Sequence, residues 1–313
     1  MKARLLWLSI LIIVVSSIGN YVYYLDKQID QPIFLDHYYV NEIYEGNEMT
    51  EFTIYYITNK QNPHTIHNVF IEGMDAQISN NNYSGWHFGS EQINYEDQFK
   101  HHYLMSTKIS IWTDSLNLVK DESVSIKEMT FFLSNGESIT TNIGEILITT
   151  APIPIEKEVI RDQLYSSSSD HFTESFFQAE EDIVIHNVTI PFFDEIGEQF
   201  TMQYSTDQDI TSELYDRHQR RDRFFTYDAW KELDVTPLNS ASFPIELHTN
   251  ETLWLLTQNK PKKAQSTSLT FTWEGITSEG DPFIFYTKVG DFPVVDQEYV
   301  NQLIKEHKEG ASR

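Results

Sequence analysis

From Pro32 to Thr150 apolar residues recur at every second position, the period of a strand with one buried face. Phe52, Ile54 and Tyr56 alternate with Thr53, Tyr55 and Ile57, and Met105, Thr107, Ile109 and Ile111 share one side of a stretch whose other side carries Ser106, Lys108 and Ser110. Met129, Phe131 and Leu133 form a third such face. Asn135-Gly136 then supplies a hairpin turn, with Ser138–Asn142 as the return strand. Strands at this spacing, separated by polar turns, predict an antiparallel sandwich.

Two prolines in Ala151-Pro152-Ile153-Pro154 interrupt the pattern. Residues 156–163 read as one or two helical turns, and Ser166 to Ser169 as a flexible run, so 152–170 is expected to be a linker. After it the pattern restarts. Thr65-Ile66-His67-Asn68-Val69-Phe70-Ile71 has a near copy in Val184-Ile185-His186-Asn187-Val188-Thr189-Ile190. Each half then closes on a similar pair of strands: Thr130-Phe131-Phe132 leads through Gly136 to Ile143-Gly144-Glu145-Ile146, and Thr270-Phe271-Thr272-Trp273 leads through Gly280 to Val289-Gly290-Asp291-Phe292. Two features in the same order predict a duplicated β-domain. The second copy carries an insertion at about 207–240. Asp296 to Glu309 reads as a helix, with Val300, Leu303, Ile304 and His307 on one face and Gly310 after it.

A different pattern opens the chain. Leu5–Leu25 is an almost uncharged run, led by Lys2 and Arg4 and followed by Asp26. It is long enough to span a bilayer, and Tyr21-Val22-Tyr23-Tyr24 resembles the aromatic belt at a membrane surface. Lys2 and Arg4 place the N-terminus in the cytoplasm and residues 26–313 outside it. The alternative is a signal peptide cleaved near Gly19, where Ser17 and Gly19 supply small residues, giving a secreted protein. The expected fold class is therefore mainly β: one N-terminal transmembrane helix (or signal peptide), two tandem antiparallel β-sandwich domains and a short C-terminal helix. Its boundaries are 1–26 for the anchor, 27–151 for the first sandwich, 152–170 for the linker, 171–295 for the second sandwich and 296–313 for the C-terminal helix and tail.

Composition adds three constraints. The chain carries 47 acidic and 22 basic residues, a net charge of −25, which repels nucleic acid at long range. It has no cysteine, so neither disulfides nor thiolate chemistry contribute, and an ordinary hydrophobic core must hold the exported part together. With 20 Phe and 17 Tyr, the aromatic content suits strands.

Candidate chemistry is sparse. No nucleophile elbow, zinc-protease helix or phosphate-binding glycine loop occurs. His67 and His186 recur at matching places, which favours a structural role; His64 and His67 diverge on a strand, and so do His101 and His102. No cofactor is expected. Acidic turns such as Glu45-Gly46-Asn47-Glu48 and Glu279-Gly280-Asp281 could supply calcium oxygens, but carry no calcium-loop spacing. The candidate partner-binding residues are the arginine cluster Arg217, Arg220, Arg221 and Arg223, suited to phosphate, a polyanionic wall polymer or an acidic partner, and the aromatics Tyr83 and Trp86 of a glycine-punctuated loop. The reading is a membrane-anchored, extracytoplasmic, non-catalytic binding or scaffold module whose partner is a protein or a cell-envelope polymer. The alternatives are an envelope glycan hydrolase using paired carboxylates, and a ligand sensor working through a membrane partner.

Overall fold

The computed structural model describes residues 2–44, 46–79, 94–116, 118, 122–150, 159–167, 171–219, 235–238, 242–260 and 264–311. An apolar helix, α1 (Lys2–Lys27), precedes nine strands: β1 (Ile33–Phe34), β2 (Asp36–Ile43), β3 (Met49–Asn59), β4 (Ile66–Phe70), β5 (Ala76–Ile78), β6 (Asp97–Gln98), β7 (His102–Trp112), β8 (Ser123–Leu133) and β9 (Ser138–Thr150). Nine more form the second half: β10 (Ile160–Ser167), β11 (Phe172–Ala179), β12 (Ile183–Thr189), β13 (Phe200–Ser205), β14 (Thr236–Pro237), β15 (Ile245–Leu247), β16 (Thr252–Asn259), β17 (Gln265–Thr277) and β18 (Pro282–Asp291). Between β13 and β14 lies α2 (Gln208–Gln219), and α3 (Gln297–Ala311) ends the described chain. Strands predominate among the described residues, so the fold is mainly β, with an apolar helix at one end and a short helix at the other.

Each half is a sandwich. In the first, β1-β3-β7-β5 faces β2-β9-β8-β4 across a core of Phe52, Ile54 and Tyr56 from one sheet and Met129, Phe131, Ile146 and Ile148 from the other. In the second, β10-β11-β16-β13 faces β15-β12-β17-β18 around Phe177, Leu253, Leu255, Ile185 and Trp273. Trp273 is fully buried, stacks on Phe285 at 5.5 Å, and donates its indole N–H to Thr287 Oγ1 at 3.1 Å. The alternating apolar positions of the sequence are these inward faces.

The halves share a pairing scheme. In the first, β7 lies between β3 and β5, and β8 between β4 and β9. In the second, β16 lies between β11 and β13, and β17 between β12 and β18. Both β4 and β12 are bulged, between Ile66 and Asn68 and between Ile185 and Asn187, so His67 and His186 are the extra, exposed residues. Gly136 and Gly280 close the matching hairpins with φ of 85° and 88°.

β2 departs from the antiparallel plan. After β1 pairs antiparallel with β3, the chain crosses the sandwich at Leu35 and β2 runs parallel to β9 over His37–Ile43. Its other edge pairs parallel with Gln265–Ser268 of β17, so one eight-stranded sheet belongs to both sandwiches. The stretch expected as helical turns and linker also differs, because Ile160–Ser167 is the strand β10, paired along β11. An edge strand needs only a main-chain ladder on one side, which leaves its side chains as polar as a linker's.

A separate core ties the ends together. Ile29, Ile33 and Leu35 pack with Tyr55, Ile57, Leu104 and Ala264, and with Val300 and Ile304 of α3. Asp296 caps that helix, its carboxylate accepting the Tyr299 N–H at 2.7 Å.

Candidate functional site: the cleft along β2

β1 covers only Tyr56 and Ile57 of β3, so the preceding residues of β3 form an open strand edge. Alternate side chains of β2 close onto it. His37 Nε2 accepts the Tyr55 N–H at 2.8 Å, Tyr39 Oη donates to the Thr53 carbonyl at 2.8 Å, and Asn41 Nδ2 donates to the Glu51 carbonyl at 3.3 Å. The spacing of two along both strands makes this a side-chain ladder where a neighbouring strand would normally pair. Because an antiparallel ladder alternates direction, and Tyr55 points outward, the N–H groups of Glu51 and Thr53 point outward too.

His37 is completely buried, and its Nδ1–H donates to the Ile143 carbonyl at 3.3 Å, which fixes the tautomer. Burial pulls its pKa down to about 4, against smaller upward pulls from the Ile143 carbonyl and Asp36. Gly144 lies against it with φ of 88°, and a Cβ there would stand 2.4 Å from the His37 oxygen. Only glycine lets β9 approach this closely.

The ladder is the floor of a cleft between the sandwiches. Two hollows of about 200 Å³ each share Asn41, Glu51 and Ser268; one extends over Tyr39, Thr53 and Tyr55 to Gly290 and Phe292, the other over Glu42, Thr50, Thr270 and Lys288. A third, of about 440 Å³, continues past Tyr55 and Phe292 to Glu96, Asp97 and Val294. Phe292 and Val294 are 70% and 61% exposed, an apolar lip on an otherwise polar trench.

The acids lining the trench are engaged. Glu51 binds Lys108 and accepts Ser110 Oγ at 2.8 Å, and these bonds hold its pKa below the ordinary carboxylate value. Glu96 accepts Ser106 Oγ at 2.5 Å. Asp291 accepts from Asn259 Nδ2 at 2.9 Å and lies 2.6 Å from His171 Nδ1; burial raises its pKa against those two partners. The arrangement presents hydroxyls, amides and strand-edge donors to the cleft.

A second feature lies on the outer face of β11. Glu174 sits among Phe172, Phe176, Trp254 and Leu256, which also pack against Leu214 of α2. Burial raises its pKa to about 7, opposed by the Trp254 indole N–H, which it accepts at 2.8 Å.

Neither Glu174 nor the β2 ladder stands out in the sequence. The signals were one carboxylate inside the apolar run Phe172–Phe177 and the polar alternation His37, Tyr39, Asn41. Of the candidate partner-binding residues, Tyr83, Trp86, Arg220, Arg221 and Arg223 lie outside the described residues, and only the backbone of Arg217, in α2, lies within them. His64 is buried and His67 exposed. Among the described residues no group of three or more histidines and carboxylates could hold a metal ion.

No family model matches the chain, and no curated protein matches it. Solved structures with low similarity include the YadV chaperone (6% identity, TM-score 0.23, covering 82% of this chain and 98% of that one). The Enterococcus faecalis MSCRAMM ACE, whose structure is described as binding its ligands by a collagen hug, is 11% identical with a TM-score of 0.21 over 85% of this chain and 96% of its own. The collagen adhesin of S. aureus is 9% identical, with a TM-score of 0.22 over 85% and 93%. Likeness at this level says nothing of what this chain binds.

Proposed function

We propose that this protein is a membrane-anchored, extracytoplasmic, non-catalytic binding module whose guest is an extended polypeptide segment lying in the cleft along β2. The observation that carries this is the stretch of β3 edge that no described strand covers, where Tyr39 and Asn41 bond the Thr53 and Glu51 carbonyls beside the trench; the alternation of the ladder turns the N–H groups of the same residues to that side. Strand-edge donors recognise an extended main chain of any sequence, while flanking walls select side chains. The tandem sandwiches are read as a duplication, supported by the matching pairings and by the bulges at His67 and His186.

The anchoring reading has two supports. Trp7–Lys27 is long and apolar enough to cross a membrane, and its apolar side chains lie outside every protein core. The end of α1 is also bonded to the folded domain, as Tyr24 Oη donates to Gln61 Oε1 at 2.6 Å and His102 Nε2 donates to the Lys27 carbonyl at 2.8 Å.

The test is cross-linking of tagged full-length protein in its native cells, beside a Ser268→Trp variant. Ser268 is an exposed wall residue, so the indole fills the trench without entering a core. The wild type captures a protein partner and the variant loses it. Equal capture by both would remove the cleft from the account, and retention on glycan alone would replace the polypeptide guest.

A further inference from the structure

The junction between α1 and the folded domain is held by hydrogen bonds and gathers several lysines, in a protein of net charge −25. Asn59 clamps it from both sides, its Oδ1 accepting the Ile29 N–H at 3.1 Å and its Nδ2 donating to the Ile29 carbonyl at 2.6 Å. Around this clamp stand lysines from three parts of the chain. The ammonium groups of Lys27 and Lys100 lie 5.5 and 5.2 Å from the centre of the Tyr23 ring. Lys308 reaches across from α3 to donate to the Asp26 carbonyl. Lys27, Lys305 and Lys308 line an open pocket of about 560 Å³ in the angle between α1 and α3. Two acids share it, Asp26 at 3.5 Å from Lys27 and Glu309 at 3.9 Å from Lys305.

We propose that this pocket is a binding site for the headgroup of an anionic phospholipid, its phosphate held by Lys27, Lys305 and Lys308. The inference rests on the reading that α1 spans the membrane. That reading also fixes the source of the phosphate: a pocket at the last turn of a spanning helix opens at headgroup depth, beside Tyr23 and Tyr24. Lysines there keep their stems on the tyrosine rings and their charges in the interface. The −25 net charge acts at long range and is screened within about 10 Å, so it does not cancel a site in which cations touch the lipid. Because Asn59, His102 and Lys308 fix the exit of α1, a bound headgroup orients the sandwiches relative to the membrane.

The test uses full-length protein in nanodiscs of equal parts phosphatidylcholine and phosphatidylglycerol, with native mass spectrometry of the lipids that stay bound on release. The wild type retains phosphatidylglycerol over phosphatidylcholine, and each lysine removed among Lys27→Gln, Lys305→Gln and Lys308→Gln weakens that preference about fivefold. Lys127→Gln, a lysine paired with Glu145 on β8, leaves it unchanged. Lys305→Gln alone serves if the Lys27 or Lys308 variant misfolds, since its side chain is 76% exposed. Excess inorganic phosphate does not displace the lipid; displacement would mark a general anion site and overturn the proposal. Equal retention of both lipids, or an unchanged preference in the variants, overturns it while the anchor stands. Failure of the protein to remain in the discs overturns the anchor, and this site with it.

Discussion

Two buried groups give this protein opposite responses to pH, and they can be separated by substitution. His37 titrates near 4 in the folded chain against an ordinary value of 6.5. Below 6.5 the unfolded chain binds a proton that the folded chain refuses, so this contribution to stability is present above 6.5 and is lost as pH falls toward 4. Glu174 behaves in reverse, with a folded value of about 7 against 4.5. The folded chain keeps a proton that the unfolded chain releases, so its contribution is present below 4.5 and is lost as pH rises through 7. Between about pH 7 and pH 5 each linkage is worth about 2 kcal/mol, His37 destabilising on acidification and Glu174 stabilising. Replacing one group exposes the other. On going from pH 7 to pH 5, Glu174→Gln loses about 2 kcal/mol relative to wild type, and His37→Gln gains about 2 kcal/mol relative to wild type. Groups common to all three proteins drop out of that difference. The assay is urea denaturation of full-length protein, read through fluorescence of the buried Trp254 and Trp273. Parallel pH profiles for the three proteins would refute the reasoning, because neither buried group would then be coupled to folding.

Other outcomes follow from packing. Gly144→Ala costs about 3 kcal/mol or more, since it combines strain at φ 88° with a Cβ driven onto the His37 main chain, whereas Gly136→Ala, with open space around it, costs about 1 kcal/mol; thermal melts of the pair check the difference. Trp273→Ala lowers stability by about 3–5 kcal/mol through the cavity it leaves in the second sandwich, measured by chemical denaturation. Ile304→Ala costs about 2–5 kcal/mol and loosens the joint core of Ile29, Ile33 and Leu35 with β3 and α3, seen as faster amide exchange across residues 297–311.

Much of this architecture was legible because it is local. The hairpin at Asn135-Gly136, the capped helix after Asp296 and the alternating faces of β3, β7 and β8 each follow from a few neighbouring residues. The shared strand was not legible. His37, Tyr39 and Asn41 alternate as any half-buried strand does, and nothing local says that both edges of β2 pair in parallel, one with β9 and one with β17 far along the chain. β10 was missed for the opposite reason, because a serine-rich edge strand resembles a linker until its partner is known. The site followed the same rule. The N–H groups of Glu51 and Thr53 carry no side-chain signature, since any residue there has a main-chain donor. Glu174 did leave a trace, but one acid in an apolar strand becomes informative only once Trp254 is found against it.

The cleft is tested most directly by placing a photo-activated cross-linking residue at Ser268 or Lys288, which line it, and at Glu128, an exposed residue of β8, in the full-length protein in its native cells. The account predicts one discrete protein adduct from both cleft positions and none from Glu128. Adducts from Glu128 alone, or none from the cleft beside efficient labelling elsewhere, would contradict it.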